Sequence, residues 1–286
     1  MIPTRWSTPR LLALLAALLL ATACAGVDAV LGPPADRISH PGFDTSIYPG
    51  DAAMRTWRET SPYEWSGYYL PAPCHRDETW SGRRASLEAM GWGLAVLYVG
   101  QQTWDNVSTS RLRDMSARLS VARAESATGA VRCSRTLLSA AQGTAEADDA
   151  IVRTEAEGFP RGTVIYLDLE YMTSVSPTMR EYFDAWLARV LADGRFRPGV
   201  YAHRSNASEL YALARMEFLS AGRPDEPAFW VAGGSGFSLD RRPEDVGHDF
   251  AAIWQGRLDV YETWGGVELR IDVNVSRWLS PSSPGT

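Results

Sequence analysis

Thr163-Val164-Ile165-Tyr166-Leu167-Asp168-Leu169-Glu170 is an apolar, β-prone run that closes on two acids. Its first five residues carry no charge, and the similar run Leu94–Gly100 is nearly all apolar, as expected of a strand covered on both faces. Downstream, Met179, Tyr182, Phe183, Trp186, Leu187, Val190 and Leu191 recur at steps of three and four, the period of a helix with one buried face. Ser176-Pro177 supplies the start signal of that helix and Gly194 its stop. Pro198-Gly199-Val200-Tyr201-Ala202 then reads as the next strand. The stretch is therefore one strand–helix–strand unit.

The same alternation extends in both directions. Upstream lie Gly42–Ser46, Ser66–Leu70 (stopped by Pro71 and Pro73) and Leu94–Gly100; downstream lie Pro227–Ala232, Phe250–Gln255 and Glu268–Val273. Thr144–Glu157, with Ala147, Ala150, Ile151 and Thr154 on one face, and Ser208–Leu219 are the other helical intervals, whereas Gly233–Gly247 reads as loop. Eight strand-like runs separated by helices fit a single-domain α/β fold, a TIM-like (β/α)8 barrel over residues 42–278. A doubly wound open sheet is the main rival, because βαβ alternation alone does not tell a closed sheet from an open one. No Gly-x-Gly-x-x-Gly or Gly-x-x-x-x-Gly-Lys-Ser/Thr occurs, which disfavours a nucleotide-binding version. Thr103–Ala141, rich in Ser, Arg and Ala, is an insertion after the third strand, either a lid over the face where barrel sites sit or a decoration.

Residues 1–23 read as a secretory signal peptide: Arg5 and Arg10, an apolar block Leu11–Ala21, then small residues. The block is shorter than the ~20 residues a spanning helix needs, and an uncleaved anchoring helix is the alternative. Ala21-Thr22-Ala23-Cys24 resembles a bacterial lipobox, making Cys24 a candidate lipidation site with plain release as the other outcome. Residues 24–41 read as a linker and 279–286 as a disordered tail. Both readings of the leader place the mature chain outside the cytoplasm, secreted or lipid-anchored at the cell envelope. There the two remaining cysteines, Cys74 and Cys133, are expected to form a disulfide rather than reactive thiols. Such a bond would tie the insertion to the barrel rim, worth ~4 kcal/mol by loop entropy.

Composition narrows the function further. All 28 basic residues are arginine, against 34 acids, for a net charge of -6, so nucleic acid is not an expected partner. The four histidines (His40, His75, His203 and His248) lack metal-ligand spacing, and neither a metal nor another cofactor is expected. Asp168 and Glu170, two apart on a strand, point to one face ~6.5–7 Å from each other. Taken alone such a pair reads as solvated loop acids. Asp44 closes the first strand, however, and Asp272 lies near the end of the eighth, its neighbour in a closed barrel. Four acids would then meet at one mouth, raising each other's proton affinity, the equipment for cleaving a glycosidic bond. Trp104, Trp254 and Trp264, at strand ends or in loops, are candidate platforms for sugar rings.

Gly42–Ser46, Tyr98-Val99-Gly100-Gln101-Gln102, Gln142-Gly143-Thr144 with Asp148-Asp149-Ala150, Ile165–Glu170, and Gly265-Gly266-Val267 before Ile271-Asp272 together resemble the glycoside-hydrolase-like family of secreted bacterial proteins. That family is similar to the family-25 lysozymes, which cut peptidoglycan. The resemblance runs from about Gly42 to Ser276 and keeps the order of the motifs. It implies a TIM-like barrel, Asp44, Asp168, Glu170 and Asp272 as catalytic acids with Glu170 the general acid, and Ile253-Trp254-Gln255 as the counterpart of a strand-seven Trp-Gln. Leu169 stands where the lysozymes usually carry an aromatic, and the 103–141 insertion is foreign to them. Tyr98, Gln101, Tyr201, Trp230, Trp254 and Gln255 are the expected substrate contacts. The expected activity is retaining hydrolysis of an amino-sugar glycan of the cell wall, the expected partner. The alternative is a non-catalytic envelope carbohydrate-binding protein on the same barrel. A Ser–His hydrolase is disfavoured because no Gly-x-Ser-x-Gly elbow occurs.

Overall fold

The computed structural model of the chain describes residues 39–103 and 133–283. The leader, the candidate lipidation site Cys24, the first part of the linker and Trp104 lie outside the described residues.

Eight strands close into one barrel in sequence order. They are β1 (His40–Asp44), β2 (Trp65–Tyr69), β3 (Gly93–Val99), β4 (Val164–Leu169), β5 (Arg197–His203), β6 (Ala228–Ala232), β7 (Ala251–Trp264) and β8 (Val267–Ser276). Five helices are described: α1 (Asp51–Thr60), α2 (Arg84–Ala89), α3 (Ala140–Ala156), α4 (Pro177–Asp193) and α5 (Arg204–Ser220). α4 is bounded as its sequence dictates. The Ser176 hydroxyl accepts from the Met179 N–H, Pro177 opens the first turn, and Gly194 ends the helix at φ 70. All seven of its periodic apolar residues are buried. α3 starts earlier than its apolar spacing indicates, because Ser139 caps it by accepting from the Gln142 N–H.

The last two strands depart from a (β/α)8 pattern. β1 to β7 pair in parallel, but β8 runs antiparallel to both β7 and β1. β7 continues past the barrel and returns through Gly265-Gly266 as a hairpin, and the loop after β6 holds only a short 3₁₀ turn, Pro243–Val246. The hairpin takes the place of a crossover helix by leaning on α1. Trp57 donates from Nε1 to the Val267 carbonyl, and the Tyr63 hydroxyl, just past α1, donates to Glu262.

Inward-facing side chains sort into an aromatic floor and a polar mouth. Trp230 sits at the centre of the floor, edge-on to Trp65, Tyr166 and Tyr201 at 5.5, 5.8 and 5.6 Å between ring centroids. Beneath it residues 279–283, read from composition as part of a disordered tail, are bonded into the barrel, whereas 284–286 lie outside the described residues. Ser282 donates from its N–H to the Leu94 carbonyl and accepts at its own carbonyl from the Val164 N–H. Its hydroxyl accepts from the Val96 N–H and donates to the Val164 carbonyl, both at 2.7 Å. Residues 279–283 thus supply partners to backbone groups that β3 and β4 do not satisfy in each other.

Cys74 and Cys133 form a disulfide with Cα atoms 4.8 Å apart. It joins the loop after β2 to the segment that leads into α3.

Candidate active site

Strand alternation brings Asp44, Asp168, Tyr201, Gln255 and Asp272 to the same end of the barrel, with Glu170 on the rim. Asp44 is the last residue of β1 and pairs in register with Asp272 of β8. Because β8 is antiparallel, Asp272 sits where that strand enters the barrel, not near its end as the sequence suggested.

Hydrogen bonds lock three sides of the mouth. The Asp44 carboxylate accepts from the Tyr69 hydroxyl at 2.7 Å, the Gln255 Nε2 at 2.9 Å and the Asn274 Nδ2 at 2.8 Å. Gln255 also donates to Asp272 at 3.1 Å and accepts from the Tyr201 hydroxyl at 2.6 Å. Asn274 in turn accepts from the Nε1 of Trp230, tying mouth to floor. Asp272 accepts a further bond at 2.6 Å from the Asp259 N–H, and Asp259 adopts a positive φ of 55, rare for a side-chain-bearing residue.

Asp168 stands apart. It is 5% exposed, and its Oδ1 is buried without a hydrogen-bond partner. Burial pushes its carboxyl well above the usual carboxylate range, and the negative charges of Glu170, Asp44 and Asp272 push it further. Asp272 is raised to about 8, by burial first and then by Asp44. Asp44 is also raised by burial, although its three donors pull the other way. Glu170 is exposed at the rim, beyond the last residue of β4. Burial and the surrounding acids raise Tyr69 and Tyr201 well above the ordinary phenol range, so both serve as neutral donors. A buried acid that holds its proton beside an exposed one is an arrangement suited to acid–base chemistry on a neutral polyol.

Four expected substrate contacts do not reach this mouth. Tyr98 faces the helical layer, where its hydroxyl donates to Asp149 of α3, because its neighbours Leu97 and Val99 take the inward positions of β3. Gln101 is fully buried, donating to Glu146 and accepting from the Ser134 N–H. Trp230 belongs to the floor. Trp254 is next to inward-facing Gln255 and so points outward, donating to the Gly233 carbonyl and lying edge-on to Phe237. Trp264 sits at the hairpin tip, donating to Glu262. Two of the histidines lie close to the mouth-side loops and are placed by packing: His75 against the Tyr69 ring at 4.9 Å, and His203 at the cap of α5, edge-on to exposed Tyr171. The sequence reading missed Tyr69 and Asn274. Both sit an even number of residues from inward-facing positions on their strands, which was the available signal. Among the described residues no group of three His, Cys, Asp or Glu is arranged to hold a metal ion.

A family model described as Rv2525c-like, glycoside hydrolase-like domain matches residues 55–276. The fold is similar to that of an uncharacterized B. stearothermophilus protein, with TM-score 0.54 and 17% identity over 83% of this chain and 95% of that one. It is also similar to the modular autolysin LytC from Streptococcus pneumoniae, with TM-score 0.50 and 13% identity over 83% of this chain and 46% of that one. No curated protein matches the chain in sequence.

Proposed function

The chain belongs to the Rv2525c-like, glycoside hydrolase-like family, and from that premise we propose that it is an exported hydrolase of amino-sugar glycan of the peptidoglycan type. The observation that carries the reading is the buried, unpartnered Oδ1 of Asp168, two residues before Glu170 at the rim of a polar mouth. A 2-acetamido sugar offers an N–H to that oxygen. The new bond favours the ionised form of Asp168, so the proton of the acid pair resides on Glu170 when the glycan is seated.

Glu170 then protonates the glycosidic oxygen as the acetamido carbonyl oxygen attacks the anomeric carbon. The bond from that carbon to the leaving sugar breaks, and Asp168 balances the positive charge of the cyclic intermediate. Water adds to the anomeric carbon, its proton passes to Glu170, and the acetamido group is restored with retention. Asp44, Asp272, Gln255 and Tyr201 hold their positions throughout as a preorganised wall. LytC, of similar fold, has a solved structure in complex with a synthetic peptidoglycan ligand. The Cys74–Cys133 bond suits an oxidising compartment, which supports export.

The test is release of reducing ends from purified cell wall by the wild type and by Glu170→Gln. The wild type should turn over, and the variant should lose about 10²–10⁴-fold in kcat while still binding glycan. Equal turnover by the two proteins would remove Glu170 from the mechanism. Saturable glycan binding by a wild type that releases no reducing ends would replace hydrolase by carbohydrate-binding protein.

A further inference from the structure

β3 and β4 stop pairing through their backbones at Val99 and Asp168, one residue short of the segment that carries Glu170. Beyond that point a side chain continues the ladder. Gln102, 1% exposed, donates from Nε2 to the Asp168 carbonyl at 2.9 Å and accepts at Oε1 from the Glu170 N–H at 3.0 Å. In a parallel ladder those two groups, flanking Leu169, are the ones a single residue of the neighbouring strand would bond. The primary amide of Gln102 therefore imitates a peptide group. It holds the β3-facing side of residues 168 to 170 after β3 has ended, while β5 still pairs with Asp168 and Leu169 on the other side, and so helps to fix the two acids on one face.

The amide is itself fixed. Its Nε2 also donates to the Gly100 carbonyl at 3.2 Å. The adjacent Gln101 is gripped through its side chain by Ser134 and Glu146, and through its N–H by the Tyr182 hydroxyl at 3.1 Å. Ser134 follows disulfide-bonded Cys133, and the partner Cys74 donates from its N–H to the Val99 carbonyl. The disulfide thus clamps the turn that presents Gln102.

We propose that Gln102 is a positioning residue for the Asp168–Glu170 pair, acting on their backbone and not on the substrate. The inference deepens the hydrolase reading and rests on it for its kinetic consequences. Its structural consequence, a protected Glu170 amide, holds whatever the protein's activity.

The experiment compares wild type with Gln102→Leu and Gln102→Glu. Leu has neither donor nor acceptor. Its kcat on cell-wall glycan should fall about 10²-fold, the scale of an ångström-sized misplacement, while KM stays close to wild type and the thermal midpoint drops by only a few degrees, as expected when backbone groups lose a partner. Hydrogen exchange at the Glu170 amide should accelerate at least about tenfold as local opening becomes easier. A protonated Glu keeps one donor and one acceptor, so Gln102→Glu should recover activity and protection at acidic pH and lose both as its carboxyl ionises. A bystander in the fold would not give that conditional rescue. An unchanged exchange rate at Glu170 in Gln102→Leu overturns the proposal, as does a loss of kcat that only follows a loss of folded protein. If the wild type releases no reducing ends, the hydrolase reading fails, and the exchange rates still decide the role of Gln102.

Discussion

Both ends of the β3–β4 seam are completed by a side chain from elsewhere in the chain, and the two ends differ in what surrounds them. At the floor, the Ser282 hydroxyl bonds Val96 and Val164, while the rings of Trp65, Tyr166 and Trp230 fill the space above. The Tyr166 hydroxyl finds the Pro281 carbonyl, so the polar atom of a buried ring has its partner. At the mouth, the Gln102 amide bonds the Asp168 and Glu170 backbone, yet the Asp168 carboxyl above it is buried with an orphaned oxygen among like charges. One seam therefore ends in satisfied packing below and in stored electrostatic cost above. That asymmetry supports the proposal that the mouth carries the chemistry while the floor carries stability.

Trp230→Ala is the sharpest way to break the floor. Removing a fully buried indole costs about 3–5 kcal/mol, and Asn274 loses the donor that ties it to the floor. Urea unfolding measures this directly, and a cost below about 1 kcal/mol would mean that the rings do not carry the barrel. Ser282→Ala is gentler. It leaves the Val96 N–H and Val164 carbonyl without their hydroxyl partner at a cost of about 1–3 kcal/mol. The backbone bonds of Ser282 persist. The same unfolding curve reads it out, and kcat per folded molecule should not change.

How much of this contrast a sequence displays depends on the range of the interaction. α4 was legible because its apolar period and both end signals are local. The convergence of Asp44, Asp168 and Asp272 was legible from strand ends and parity. Parity also misled where two neighbours were both assigned to the mouth: Trp254 and Gln255 are adjacent on β7 and cannot face one way. The hairpin escaped because Arg257 to Asp259 are all exposed and Val260 to Trp264 alternate only between half-buried and exposed, so this extension of β7 carries no buried residue to mark it as a strand. Gly265-Gly266 between two β-prone runs was the missed turn signal. The bonded segment 279–283 escaped for a different reason. Leu279-Ser280-Pro281-Ser282-Ser283 is turn-like by composition, and what orders it is a pair of strands more than a hundred residues upstream.

Asp168→Asn probes the other end of the seam, and its effect should have the opposite sign. In the folded chain the Asp168 proton is held far more tightly than in the unfolded chain, where an Asp titrates near ~3.9. The folded state then binds more protons, so stability is fully present below about pH 4 and declines as pH rises through the folded value. Asp272, raised to about 8, adds a decline of the same sign between about pH 4 and 8. Asn cannot ionise, so Asp168→Asn removes its own share of that decline. At pH 4 the variant and wild type should unfold alike. At pH 7 to 8 the variant should be the more stable by about 0.5–2 kcal/mol while losing turnover, the trade expected where a site keeps a strained charge for function. Urea midpoints of the two proteins across pH 4 to 8 decide it. Curves that stay parallel would show that Asp168 stores no such cost, and the division between a stabilising floor and a strained mouth would lose its electrostatic basis.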